Sequence, residues 1–196
     1  MNPTFDFAKL DCENAFQLVL RSEVIKCVKA DAPSMLKMAK AELNNVSSGW
    51  YVGLARGISA VKVSSGVHQG AEASGEQFAR VKGKLSLEYR HLIPTGLDLN
   101  YADDQFTIAH NSELDPYLSF MDQKGPTYGI HQSLQKADIL LGIQGSPEKA
   151  LQLQAHYNLT RGIPIERLKI NPCESLIDNR ADFGTIALGV PIGHKE

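Results

Sequence analysis

The sequence predicts an α+β fold in which an antiparallel sheet carries its helices packed on one face. Two-residue alternation marks a strand over Thr4 to Leu10 and a hairpin over Leu97 to Ala109. Apolar residues at helical spacing mark the stretches between, and the strands come largely in pairs. A parallel, doubly wound sheet would instead alternate strands singly with helices.

In order, Phe5, Phe7, Ala8 and Leu10 form a short strand that delivers Asp11 at its end. Val24, Ile25 and Val28, then Met35, Leu36, Met38, Ala39 and Leu43, recur at three and four and predict two helices. Asp31-Ala-Pro33 breaks them, with Ser34 as an N-cap. Trp50 to Leu54 and Ile58 to Val63 predict a strand pair around a glycine-containing turn. A turn with Gly66 and Gly70 precedes a helix from about Ala71 to Tyr89, which Pro94 and Gly96 end. Leu97, Leu99 and Tyr101, then Phe106 and Ile108 pointing inward, give a hairpin with Asp103 and Asp104 at its tip. From His110 to Gly145 the only signals are a turn at Gly125-Pro126 and an apolar run at Ile139 to Leu141. Ser146 and Pro147 open a helix containing Ala150, Leu151, Leu153 and Ala155, closed by Gly162 and Pro164. Ile165 to Ile170 and Thr185 to Val190 finish the chain as strands.

With 196 residues, 43% hydrophobic and 21% charged, the chain is long enough for one enclosed core and is expected to form a single unit over residues 1–196. No stretch approaches the roughly 20 apolar residues of a membrane helix, and MNPTFDFAKLD lacks the basic and apolar regions of a signal peptide. An intracellular protein, nuclear or cytoplasmic, is expected. Cys12, Cys27 and Cys173 form no CxxC and have no histidine at zinc-finger spacing, so reduced thiols are expected. The net charge of -2 argues against strong unaided binding to nucleic acid, where Lys and Arg must neutralise phosphates. The six histidines are scattered, and no HExxH, GxSxG or P-loop pattern occurs.

The residues that can carry chemistry are Asp11, Asp103 and Asp104, one at a strand end and two at a hairpin tip. Magnesium takes hard oxygen ligands and is usually held by one or two carboxylates plus substrate phosphates, so aspartates on strand ends suit a two-metal phosphoryl-transfer site. Converging carboxylates would repel one another without a cation. An Asp-Asp pair in a turn is, on its own, ordinary solvated surface.

The sequence around these residues adds a resemblance. KLDCENAF, Lys9 to Phe16, resembles motif A of reverse transcriptases, in the LDxxNAF form usual in LINE-like, non-LTR retrotransposons. VSSGVHQGAEASGEQF, Val63 to Phe78, resembles motif B, and Tyr101-Ala102-Asp103-Asp104 is similar to the YADD box of motif C. RLKINPCESLI, Arg167 to Ile177, resembles motif D, and LGVPIG, Leu188 to Gly193, the segment after it. These stand in family order across almost the whole chain.

The resemblance implies a polymerase palm that transfers deoxynucleotides to a primer 3'-hydroxyl on an RNA template. It implies that Asp11 and Asp103 ligate Mg2+, or Mn2+ in its place, with Asp104 a nearby ligand or helper. Phe16 falls at the family's steric gate against a ribose 2'-hydroxyl, and Gln69 and Gly70 at the pair approaching nucleotide and template. Ala71-Glu72 stands where the family has Asp-Pro, and Glu174 where it has a lysine that assists pyrophosphate departure, leaving Lys169 as the nearest basic substitute. The resemblance covers the palm alone, without fingers or thumb, so the isolated segment is expected to have little polymerase activity. The alternative is a remnant that folds without catalysing and acts as a binding or assembly module with exposed apolar patches. A metal-dependent nuclease using the same carboxylates would need a water-activating base, for which no candidate is evident.

Overall fold

A computed structural model of the chain describes residues 5–44, 47–53, 57–63, 65–68, 72–142, 147–170, 184–187 and 190–193. In chain order the elements are β1 (Phe5–Asp11), α1 (Ala15–Leu18), α2 (Arg21–Asp31), α3 (Leu36–Asn44), β2 (Ser47–Gly53), β3 (Gly57–Val63) and α4 (Ser74–Tyr89). They continue as β4 (Leu97–Tyr101), β5 (Asp104–His110), α5 (Asn111–Tyr128), β6 (Asp138–Leu141), α6 (Pro147–Arg161), β7 (Leu168–Ile170), β8 (Gly184–Ala187) and β9 (Val190–Gly193). The main sheet has five strands in the order β4-β5-β1-β6-β7, and β2-β3 and β8-β9 are separate hairpins.

The α+β expectation holds, with one departure. β4, β5, β1 and β6 pair antiparallel, but β6 and β7 run parallel, Ile139 opposite Leu168 and Leu141 opposite Ile170. The reason is connectivity, because α6 carries the chain from the end of β6 back to the start of β7, as parallel neighbours require.

Register divides the sheet into two faces. Asp6, Ala8 and Leu10 of β1 share one face with Gln105, Thr107 and Ala109 of β5 and with Ile139 and Leu141 of β6. That face holds the main core, completed by Val24 and Val28 of α2, Phe78, Val81 and Leu85 of α4, Leu114, Tyr117 and Met121 of α5, and Tyr157 of α6. The opposite face carries Phe7, Phe106 and Leu140, a small second cluster against which Ile108 packs, and then Asp11 and Asp104.

β4 therefore turns its apolar residues outward. Leu97, Leu99 and Tyr101 lie opposite Ile108, Phe106 and Asp104 and are 50%, 54% and 68% exposed. Asp98 faces the helices instead, accepting from the Tyr89 hydroxyl, Gln105 Nε2 at 2.8 Å and Thr107 Oγ1 at 2.9 Å. This half-buried polar network decides which side of the edge strand faces inward.

The stretch from His110 onward resolves into a helix where a turn at Gly125-Pro126 was expected. α5 runs through both Pro116 and Pro126. Its first turn is capped by His110, whose side chain accepts from the Ser112 N–H while Glu113 reaches back to the His110 N–H. Leu114, Tyr117, Leu118, Met121, Gly125 and Tyr128 bury one face, and this packing outweighs the two missing N–H groups. Helix and chain direction change at Gly129, φ 73, rather than at Gly125. Ser34 lies within a short 3-10 turn, Pro33–Met35, instead of capping α3. Ser146, the expected cap of α6, lies outside the described residues.

Candidate active site

The two segments that carry the aspartates meet at one end of the sheet. β1 and β5 pair along their whole length, and the register ends with Asp11 opposite Asp104. The Cys12 N–H then donates to the Asp103 carbonyl at 3.2 Å, which brings the hairpin turn onto the same spot. Directly opposite residues in an antiparallel pair have Cβ atoms about 5 Å apart, on one face of the sheet. Asp11 and Asp104 thus share the face that the helices leave uncovered, and Asp103 is exposed in the turn beside them.

Local chemistry explains the turn. Tyr101 pairs with Asp104, leaving Ala102 and Asp103 as a two-residue loop, and Ala102 has φ 51. A left-handed first position is what a tight hairpin demands, and for alanine it costs on the order of 1 kcal/mol. Asn14, φ 43, is the other non-glycine residue in that region among the described residues and turns the chain from β1 into α1, a conformation that asparagine tolerates.

Like charges directly opposite one another destabilise a sheet pair, so the juxtaposition calls for a counter-charge. Lys136 supplies part of it, with Nζ 3.3 Å from Asp11 Oδ2. The lysine follows α5 in a short 3-10 turn, and nothing in the local sequence flags it, since only the tertiary fold brings it to β1. The β1 end is held on that same side by Ser133 N–H donating to the Asp11 carbonyl at 2.8 Å and Glu13 N–H donating to the His131 carbonyl at 2.8 Å.

For a divalent cation, the donor chemistry fits: carboxylate oxygens at the rigid ends of paired strands. Among the described residues no three His, Cys, Asp or Glu side chains are gathered closely enough to hold an ion by themselves. The arrangement is an open carboxylate pair rather than a closed cage, the form magnesium takes when substrate phosphates complete its shell.

Phe16 lies on α1, half-buried, with its ring 5.3 Å from that of Phe78 on α4. The segment before Gln69 docks beside it, with Val67 N–H donating to the Phe16 carbonyl at 2.7 Å and Arg21 Nε donating to the Gly66 carbonyl at 2.7 Å. Gly66, φ 70, is required there, because a Cβ would fall 2.4 Å from the Phe16 and Gln17 carbonyl oxygens. Gln69, Gly70, Ala71 and Glu174 lie outside the described residues. Lys169 is not beside the carboxylates. It pairs with Leu140, which pairs with Phe7, so it stands two strands away and about 13 Å down the strand from the level of Asp11. Cys12 and Cys27 are buried thiols, and Cys173 is outside the described residues.

Comparison with solved structures adds the architecture. Telomerase from Candida tropicalis, truncated from its C-terminal domain, superposes on 72% of this chain with a TM-score of 0.58 at 13% identity. Over that part the chain shares the fold of the telomerase. Telomerase from the same organism in complex with the TWJ fragment of telomeric RNA gives 0.60 over 74% of the chain at 16% identity, and telomerase from Candida albicans in the same kind of complex gives 0.58 over 74% at 11%. At such identities the likeness is one of fold, and the chain spans under a third of those proteins: 31%, 27% and 29% of their lengths. No protein-family model and no curated protein matches the sequence. Among the described residues no helix is long and apolar enough to cross a membrane.

Proposed function

We propose that the chain is the palm of an RNA-directed DNA polymerase of the LINE-like, non-LTR retrotransposon kind, whose site performs nucleotidyl transfer when fingers and thumb complete it. The observation that carries this reading is the cross-strand pair Asp11–Asp104 with Asp103 in the adjoining turn, set on the open face of the sheet in a chain that shares the telomerase fold. A divalent cation held there, Mg2+ or Mn2+, supplies activation of a primer 3'-hydroxyl and neutralisation of the triphosphate. Asp11, Asp103 and Asp104 orient it, and Lys136 exchanges its contact with Asp11 for a phosphate oxygen of the incoming nucleotide. The Phe16 ring excludes a ribose 2'-hydroxyl, while Gln69 and Gly70 approach nucleotide and template. RNA template, DNA primer and deoxynucleoside triphosphates are the proposed partners, in an intracellular setting.

Binding of deoxy- and ribonucleoside triphosphates with Mn2+ tests this. The wild type is expected to favour the deoxy form, and Phe16→Val to narrow that preference at retained fold. Equal binding of both sugars by the wild type would contradict the role given to Phe16, and no triphosphate binding at all would contradict the polymerase reading.

One observation favours a second reading, a non-catalytic binding or assembly module. Leu97, Leu99 and Tyr101 form an exposed apolar row along the edge of the sheet, beside the carboxylates. Retention of nucleic-acid or protein binding by an Asp11→Asn, Asp104→Asn variant, with no triphosphate binding by the wild type, is the result that would favour it.

A further inference from the structure

We propose that Lys82 is a positioning residue for the carboxylate site, acting from the helix-covered face of the sheet. The proposal rests on the reading of Asp11 and Asp104 as a cation site. α4 buries Ser74, Gln77, Phe78, Val81, Lys82, Leu85 and Tyr89, and Lys82 is the charged member of that stripe, 2% exposed. Its Nζ donates to Cys12 Sγ at 3.1 Å and to Gln105 Oε1 at 3.0 Å. Among the described residues no carboxylate pairs with it. An ammonium enclosed on a thiol and an amide is an expensive arrangement in the interior, poorly suited to adding stability.

What it joins is specific. Cys12 follows Asp11 in the chain, and Gln105 follows Asp104. Successive strand residues point to opposite faces, so the side chains gathered by one Nζ are the immediate neighbours of the two carboxylates that face each other across the sheet. Holding Cys12 and Gln105 to a single atom restrains β1 and β5 from parting or sliding at that end. The Cys12 N–H, bonded to the Asp103 carbonyl at 3.2 Å, passes the restraint to the turn. Gln132 Nε2, donating to Gln105 Oε1 at 3.3 Å, closes the cluster from the segment that also holds β1.

The sign of the effect on a bound cation separates positioning from charge. Removing a positive charge behind two carboxylates tightens cation binding by Coulomb's law alone, whereas loosening the strand ends weakens it. Mn2+ is titrated calorimetrically into the full chain, Lys82→Met, Cys12→Ala, Cys12→Ser and Asp104→Asn, each verified as folded by near-ultraviolet circular dichroism. The wild type is expected to bind saturably and Asp104→Asn to lose binding. Lys82→Met should weaken it roughly tenfold, the scale typical of residues that support metal ligands, and Cys12→Ala by a smaller factor. Cys12→Ser, which keeps an acceptor for Nζ, should stay near wild type. Without metal, Lys82→Met should also speed hydrogen exchange at the Cys12 amide. Unchanged or tighter Mn2+ binding by folded Lys82→Met overturns the proposal. Should that variant fail to fold, equal affinity of Cys12→Ala and Cys12→Ser overturns it as well. A wild type without saturable binding overturns the cation-site reading itself, and the positioning role with it.

Discussion

Asp6 sits near the start of β1 with its carboxyl group fully enclosed. Its Oδ1 accepts from Asn111 Nδ2 at 2.7 Å and from the Gly142 N–H at 2.8 Å, while Oδ2 has no hydrogen-bond partner among the described residues. Burial pushes its pKa from 3.8 to about 7, against the opposing effect of the Gly142 hydrogen bond. The native state therefore keeps a proton that the unfolded chain has already lost between these values, so stability falls as pH rises through that window, by up to roughly 4 kcal/mol. Asp6→Asn offers the same acceptor and stays neutral. Urea denaturation is expected to show the variant more stable than the wild type at pH 8, with the difference shrinking towards pH 4. An identical pH dependence in the two proteins would contradict the burial argument. At this scale the sequence was partly legible. Local pattern put Asp11 at a strand end and Asp103 and Asp104 at a hairpin tip, and the motif resemblance around them is what singled them out. Lys136 did not, since it reaches Asp11 only through the fold. Lys82 could have been seen, as a lone charge on the stripe Phe78, Val81, Leu85 and Tyr89.

At the scale of elements, local periodicity located β1, β5, α2 and α4 to within a few residues, because each carries its own apolar repeat. It failed at α5, where Gly125-Pro126 resembles a turn but the buried face from Leu114 to Tyr128 holds a helix together. It was also silent on which side of β4 faces inward, which the Asp98 network with Tyr89, Gln105 and Thr107 decides. The end of α5 shows how closely the elements fit. Gly129 has φ 73, and a Cβ there would fall 2.0 Å from the Leu18 carbonyl oxygen and 2.7 Å from the Leu20 nitrogen. The Leu20 N–H donates to the Tyr128 carbonyl at 3.0 Å, so α1, α2 and α5 meet at this residue. Gly129→Ala is expected to cost at least about 2 kcal/mol in chemical denaturation, combining left-handed strain with a backbone clash. A loss below about 0.5 kcal/mol would mean that the junction adapts more freely than this packing allows.

Across the whole molecule, the asymmetry of the sheet organises function. Helices close one face into the core, and the other face carries the carboxylates, the exposed row of Leu97, Leu99 and Tyr101, and the cluster of Phe7, Phe106 and Leu140. The parallel β6–β7 pair follows from the helix that links the two strands, and it was missed because Ile139 to Leu141 gave only an apolar run to which no strand was assigned. The net charge of -2 gives no overall excess of cations for neutralising phosphates, so any attraction to nucleic acid has to come from local basic groups. The proposed divalent-cation site lies where the ends of β1 and β5 meet. Magnesium titration of the chain, followed by NMR beside the Asp103→Asn, Asp104→Asn double variant and repeated with a deoxynucleoside triphosphate present, tests it most directly. Saturable shifts centred on Asp11, Cys12 and Asp104 are expected, strengthened by the nucleotide and lost in the double variant. Absence of such shifts in a folded wild type, with and without nucleotide, would contradict it.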